Sequence, residues 1–333
     1  MNRVNTKPLD PIEAISSGYR DSQILFTAVR IGIFNALLDQ TLSCESLCAS
    51  LDCSPRGMRI LCDALVTLGL LDKEGDFYCN SAVALEYLLP DSPKSKAAIM
   101  KHGARLYERW GKLYDVVKTG RPVSEDDLDQ RSVGFDRAFA KAMADVGRIS
   151  AQQTVEIIDI GVARKMLDIG GGPGLYSIAF VQHNPNLNAT VFDNAETLEV
   201  AQENIDEAGL SDRVSTKPGN ALDDELGGPY DFILISNCIH SFSYEANQNL
   251  VKKCADVLTP DGRICLKDFF LEEDRTSPKW NAIFAVNMLV NSEEGNSYTI
   301  NEAKQWLDNA GLEYESLHEV ASNSRIIMGK KSS

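Results

Sequence analysis

The sequence predicts an α/β protein: a mostly parallel seven-stranded sheet with helices on both faces, behind a mainly helical N-terminal domain. Three observations predict it. From residue 160 onward, short apolar runs alternate with helical segments, giving strands at 165–169, 189–193, 213–217, 231–235 and 263–269. Two more, near 313–320 and 324–329, flank Ser322-Asn323-Ser324. The first strand breaks into glycines in Met166-Leu-Asp-Ile-Gly-Gly-Gly-Pro-Gly-Leu-Tyr176, and the second, Ala189-Thr-Val-Phe-Asp193, ends in a lone carboxylate.

Taken in order, residues 1–91 form the first domain. Ile24, Phe26, Ala28, Val29, Ile31, Ile33, Phe34 and Leu37 make one apolar helical segment, wide enough to be largely buried. Ser43 caps a helix through Leu51, and Ser54-Pro55 opens another through Leu61, Leu65 and Leu68, with proline in the first turn. Gly69 to Cys79 holds two short strands around a Glu-Gly turn. Helix, turn, helix and β-wing together form a winged-helix pattern.

Such a pattern can place a recognition helix in DNA. Here that helix offers only Arg56 and Arg59, in a chain of 48 acids against 33 bases and a formal net charge of −15. Nucleic acid and anionic membranes are therefore disfavoured partners, and the module reads as one for packing and dimerisation. Residues 92–150 read as a helical bridge. Phe135, Phe139 and Met143 lie four apart on one helix face, a stripe that suits either a core or a pocket.

Composition bounds the rest. The 333 residues suggest two domains, and the apolar share of 44% is ample for a core. No apolar run approaches the ~18 residues of a membrane span. The start, MNRVNTKPLDPIEA, lacks the apolar centre of a signal peptide. Eight scattered cysteines include no C-x-x-C pair, so they are expected as thiols of a cytoplasmic protein, with no metal site.

In residues 151–333, ligands of such a sheet sit at the carboxyl ends of the strands. That edge gathers Asp168–Gly174, Asp193, Gly219–Leu222, Ser236–His240 and Asp268. Glycine admits a ligand close to the backbone, and an acid on the next strand end suits the hydroxyls of a ribose. The spacing is G-x-G-x-G (Gly170, Gly172, Gly174), not the G-x-G-x-x-G of dinucleotide sites; Pro173 removes an N–H and Asp168 adds a negative charge. A nucleoside with a cationic end and no phosphate fits, as in S-adenosylmethionine. His240 is the histidine at a strand end, suited to take a proton from an acceptor hydroxyl; Asp268, after the next strand, is placed to orient its imidazole. A loop histidine and a surface acid are the plainer readings of the same two residues.

The sequence resembles the caffeate/hydroxyindole-type O-methyltransferases, including bacterial relatives acting on pigments and polyketides. The resemblance covers nearly the whole chain. It rests on the winged-helix start, Phe135-x-x-x-Phe139-x-Lys141-x-Met143-x-Asp145, Leu167-Asp-Ile-Gly-Gly-Gly-Pro-Gly174, Asp212-Arg213-Val214, Ile239-His240 and Leu258-Thr-Pro-Asp-Gly262. It implies a Rossmann-like seven-stranded methyltransferase sheet and a homodimer formed through the N-terminal domain. It also implies that Gly170 and Gly172 approach the methionine part of the cofactor, Asp193 the ribose, and Asn220 with Ala221 the adenine. Asp168 and Ser236 join that cofactor edge, with Phe139 and Met143 bordering it and Phe135 facing the acceptor.

Three departures from the family pattern lie around the base, and a fourth at the cofactor. Ser241-Phe-Ser-Tyr244 stands where Asp-Trp-Ser-Asp is typical, Ser236 where a lysine is common, and Ser297 where a second acid usually flanks the base. Asn220 replaces the usual aspartate. The reading is methyl transfer to a small organic acceptor hydroxyl, with His240 as base and Asp268 as its partner. Transfer to sulfur or carbon, needing no strong base, stays open, as does a non-methylating relative. Trp110, Tyr114, Phe284, Asn287 and Met288 are the further acceptor-site residues, their apolar and amide mixture suiting a small organic molecule.

Overall fold

The computed structural model describes residues 10–124, 135–320 and 323–332; the side chains at 135–139, 141–142 and 145–146 also fall outside that description. It divides into two compact units, Met1–Leu106 and Tyr107–Ser333.

In the first unit, α1 (Pro11–Ser17) starts under Asp10, whose carboxylate accepts the N–H groups of Ile12 and Glu13. The single apolar segment expected from Ile24 to Leu37 is instead two helices, α2 (Tyr19–Ile31) and α3 (Ile33–Ala36). Gly32 separates them: it takes a left-handed φ of 89° and its N–H closes α2 on Ala28 O. After β1 (Leu42–Ser43) come α4 (Cys44–Leu51), capped by Ser43, and α5 (Pro55–Thr67), capped by Ser54 with Pro55 in its first turn. The hairpin of β2 (Leu71–Glu74) and β3 (Phe77–Asn80) follows, and β1 pairs with β3 to make a three-stranded wing. With α6 (Ala82–Tyr87), these elements close over Phe34, Leu47, Met58, Leu65 and Tyr78.

The stretch read as a helical bridge contains α7 (Ala97–Trp110), in which the division between units falls, α8 (Leu113–Thr119) and the start of α9 (Phe135–Ile157). The sheet of the second unit then builds up as β4 (Lys165–Ile169), α10 (Leu175–His183), β5 (Asn188–Asp193), α11 (Ala195–Glu207), β6 (Val214–Pro218), β7 (Tyr230–Ser236), α12 (Tyr244–Val257) and β8 (Leu258–Asp268). It ends with α13 (Lys279–Asn291), α14 (Ile300–Asn309), β9 (Leu312–Val320) and β10 (Ser324–Lys331). The strand order is β6-β5-β4-β7-β8-β10-β9, with β10 antiparallel to both neighbours.

The chain runs outward from β4 to β6, then restarts on the other side of β4 with β7. This reversal opens a crevice at the carboxyl ends of β4 and β7, the position where open α/β sheets bind ligands. The strands read as continuous apolar runs because both faces are covered. Met166, Val191, Phe232 and Leu234 pack with Phe180, Val181 and Ala201 of α10 and α11, while Leu167, Ile233, Ile235 and Leu266 pack with Leu250, Trp306 and Leu307 of α12 and α14. Each such fully buried side chain contributes about 1.5–3 kcal/mol. That burial holds the strand ends, and so the crevice, in a fixed frame.

Candidate active site

The turn after β4 passes through Gly170 (φ 63°), Gly172 (φ 54°) and Gly174 (φ 75°), a run of left-handed conformations that strains any other residue. It is laced to the end of β5: Gly170 N–H donates to Phe192 O at 2.8 Å and Gly172 N–H to Asp193 Oδ2 at 2.9 Å. The other Asp193 oxygen accepts the backbone and amide N–H groups of Asn194 at 2.7 and 3.0 Å. A Cβ on Gly170 would lie 2.7 Å from Cys238 Sγ, whereas one on Gly172 meets nothing nearer than Gly170 O at 4.0 Å. The backbone at Gly172 therefore faces open space, as a cradle for a bulky ligand requires.

Asp168 is fully enclosed, and Ser177 Oγ donates to its Oδ2 at 2.8 Å. Burial pushes this carboxyl up to about 7, against the Ser177 hydrogen bonds and with a smaller contribution from the charge of Asp193. A Cβ on Gly171 would come 2.9 Å from its Cγ, so the side chain braces the glycine turn from beneath. At the end of β6, Asn220 is locked in a local turn: its Oδ1 accepts Leu222 N–H at 3.0 Å and its Nδ2 donates to Asp223 Oδ2 at 2.7 Å. The Lys253 ammonium holds the carbonyl of Ala221 at 2.9 Å. Ser236 closes β7, buried, with no hydrogen-bond partner for its hydroxyl. Met143 is half-buried on α9; the side chains of Phe135 and Phe139 lie outside the described residues.

Beyond β7 the chain turns at Asn237 (φ 51°) into a short 3-10 helix, Ile239–Ser241, which presents His240. The turn is fixed by Asn247 Nδ2, which donates to Ile239 O, and by Asn296 N–H, which donates to His240 O, both at 2.9 Å. His240 Nδ1 and Asp268 Oδ1 are 2.8 Å apart, with the imidazole 13% and the carboxylate 4% exposed. The same carboxylate accepts the N–H of Phe269 at 2.8 Å and of His240 at 3.2 Å. A carboxylate can only accept, so in the neutral imidazole the proton sits on Nδ1 and the lone pair on Nε2. The pair has the geometry that an oriented base requires. At the position of the family's second acid, Ser297 is buried and donates to Asn281 O at 3.1 Å.

Two aromatic rings flank the imidazole, and a third packs against both of them. Phe284 meets it edge-on at 4.8 Å between centroids and Phe269 lies roughly parallel at 5.9 Å. Trp280 stacks on Phe284 at 5.1 Å and meets Phe269 at 4.5 Å. Trp280 is 43% exposed, so this wall reaches solvent.

Comparison with known proteins decides between a generic nucleoside site and a specific chemistry. An O-methyltransferase domain model matches residues 110–313, more than half of the chain, and an O-methyltransferase dimerisation domain model matches residues 14–90. The chain belongs to the O-methyltransferase family. It is 28% identical over 302 residues to a 3-hydroxy-5-methyl-1-naphthoate 3-O-methyltransferase of Streptomyces sahachiroi, spanning 89% of this chain and 87% of that one. It is 27% identical over 328 residues to the tetracenomycin polyketide synthesis 8-O-methyltransferase of Streptomyces glaucescens, spanning 95% of each. The structure of human N-acetylserotonin methyltransferase in complex with S-adenosylmethionine superposes with a TM-score of 0.87 at 25% identity, covering 99% of this chain and 100% of that one.

The O-methyltransferase brings some of its sequence-expected acceptor residues to His240 and leaves others apart. Phe284 belongs to the aromatic wall. Met288 is buried in the next turn of α13, where its Cε would meet a Cβ on Gly295 at 2.9 Å. Asn287 Oδ1 accepts from Trp110 Nε1 at 3.0 Å and from Asn291 Nδ2 at 3.1 Å, so the Trp110 indole N–H is satisfied by Asn287. Tyr114 is 73% exposed, with the Lys118 ammonium 5.9 Å from its ring; among the described residues it does not join the wall. Sequence reasoning missed Phe269 and Trp280, which resemble ordinary core residues until α13 is folded against the end of β8. It also missed Lys267, whose signal was a lysine inside the otherwise apolar strand Ile-Cys-Leu-Lys. Among the described residues, no three potential metal ligands gather and no helix is long and apolar enough to cross a membrane.

Proposed function

We propose that this O-methyltransferase methylates a hydroxyl group on a flat, fused-ring aromatic acceptor, with His240 as general base. The observation that carries the reading is the oriented His240–Asp268 pair set inside an aromatic wall, at the same sheet edge as the glycine turn. The donor is S-adenosylmethionine, which supplies a methyl group already activated on a sulfonium. Little remains for the protein beyond alignment, exclusion of water and removal of one proton.

His240 Nε2 takes the acceptor's hydroxyl proton as the oxygen–methyl bond forms. Asp268 holds the imidazole in the reactive tautomer and stabilises the imidazolium until that proton passes to solvent. The aromatic rings offer offset-stacked or edge contacts to a planar acceptor, each worth about 0.5–1.5 kcal/mol beyond area burial. Gly170 and Gly172 take the amino-acid part of the donor, Asp193 its ribose hydroxyls, and Asn220 with Ala221 its adenine; Met143, Phe139 and Phe135 border donor and acceptor. Curated relatives named for hydroxynaphthoate and tetracenomycin polyketide substrates support the fused-ring assignment.

The N-terminal unit pairs two copies of the chain, a role supported by its dimerisation-domain match and by Ile12 and Ile15, exposed at 73% and 77%. Free cysteines at all eight positions support work in the reducing cytoplasm. The test is a panel of hydroxylated naphthalenes, anthraquinones and indoles, with thiols and thioethers as controls, read by release of S-adenosylhomocysteine and the mass of the product. A gain of one methyl on oxygen is expected. Turnover confined to the sulfur compounds would sink the hydroxyl assignment.

A further inference from the structure

Lys267 is the penultimate residue of β8, and its side chain is fully enclosed. Its Nζ has no hydrogen-bond acceptor; the ammonium lies 5.4 Å from the ring centroid of Tyr176, whose hydroxyl donates to Ser150 Oγ at 3.0 Å. The other buried basic side chain among the described residues, Arg325, is paired with Glu272 at 2.6 Å. A buried cation without an acceptor is strongly unfavourable, and one aromatic face offsets only part of that cost. Such an arrangement points to an anion as its complement.

The surroundings locate that anion. Lys267 is the register partner of Ser236 across the β7–β8 ladder, so the two side chains leave the sheet on the same face. The Ser236 hydroxyl is also buried and unpartnered, and so is Asn237 Oδ1 in the residue after it. Asn237 N–H donates to Lys267 O at 2.8 Å, fixing the two strand ends together. One residue further, Cys238 packs under Gly170 of the turn. An ammonium and a hydroxyl, both buried and lacking acceptors, thus share one face at the carboxyl ends of β7 and β8, next to the segment whose Cys238 meets the glycine turn. The resembled family commonly carries a lysine at position 236; here the positive charge stands one strand over, on the same rung.

We propose that Lys267 and Ser236 form the subsite that holds the α-carboxylate of the methyl donor, an assignment that rests on the donor reading above. Lys267 supplies a charge-assisted hydrogen bond and Ser236 a second donor to the same group. Asp168, Asp193 and Asp268 stand at this edge of an acidic chain, so Lys267 also offsets the repulsion that a further carboxylate would meet.

The test compares S-adenosylmethionine with its decarboxylated form, which keeps the sulfonium, amine and adenosine, by calorimetry on the full-length protein. The wild type is expected to bind the carboxylated compound at least about tenfold more tightly. Lys267→Met, which retains the packing on Tyr176, is expected to erase that preference by weakening only the carboxylated ligand. Ser236→Ala should reduce it several-fold and serves if the lysine variant fails to fold. An unchanged preference in both variants, or equal weakening of both ligands, overturns the subsite while leaving the donor assignment standing. Failure of the wild type to bind S-adenosylmethionine overturns both. A carboxylate contributed by the acceptor instead would show as a loss of acceptor affinity with donor preference intact, which also overturns the proposal.

Discussion

Asp268 holds His240 at two points: its Oδ1 lies 2.8 Å from the imidazole Nδ1 and its Oδ2 accepts the backbone N–H of the same residue at 3.2 Å. Ring and main chain are therefore fixed by one carboxylate. His240→Ala is expected to lower kcat on a phenolic acceptor by about 10²–10⁴-fold. Binding of S-adenosylhomocysteine, followed by calorimetry, should stay within about twofold. Near-wild-type turnover of a phenol by the variant would refute the base assignment.

Asp268→Asn keeps the shape but lets the amide donate to the ring, favouring the wrong tautomer. We expect a loss in kcat approaching that of His240→Ala, with little change in the KM for the acceptor. A variant that instead raises KM alone would show Asp268 to be an acceptor ligand.

Asp193 carries both the Gly172 tether and the expected ribose contacts. Asp193→Ala should weaken S-adenosylhomocysteine by about tenfold or more, since a hydrogen bond to a charged group is worth about 1.5–3 kcal/mol. Adenosine should be weakened to a similar extent, as it shares the ribose. An effect on the amino-acid-bearing ligand alone would place the carboxylate elsewhere.

Asp168 gives the pH prediction. Burial raises its folded-state carboxyl to about 7, so the folded protein holds this proton more tightly than the unfolded chain. The resulting stabilisation is complete below a pH of about 4 and is lost as pH rises through 7. Between pH 5 and 8 this one group should remove about 2.5 kcal/mol from the unfolding free energy of the cofactor-free protein. Urea titrations of wild type and Asp168→Asn should show the slope in the former and its flattening in the latter. Parallel curves would show that the carboxyl ionises inside the fold without penalty.

Phe284→Ala removes the ring that meets His240 edge-on at 4.8 Å. The KM for a fused-ring hydroxyl acceptor should rise by about threefold to tenfold, with a smaller effect on a one-ring phenol. Equal effects on both acceptors would argue against stacking.

Much of the fold was legible because strand and helix alternate at regular spacing and both sheet faces are apolar. Gly32 was the local exception: apolar periodicity runs through it from Ile24 to Leu37, and only its left-handed φ divides the segment. At the site, Asp193 and the His240–Asp268 pair could be read because strand ends announce themselves by a polar residue after an apolar run. Phe269 and Trp280 could not, since their meeting depends on how α13 returns over β8, a long-range arrangement with no local signature. Trp110 and Asn287 stand 177 positions apart, and their mutual hydrogen bond emerges only in three dimensions.

The acid–glycine tether between Asp193 and Gly172 consists of chain atoms alone. On the proposed reading, the corner assigned to the sugar is thus a lock already cut, in place before a key arrives. Fresh and spent keys carry the same sugar and base, so that corner cannot tell them apart; discrimination, and with it the pace at which spent nucleoside departs, falls to whatever surrounds the sulfur.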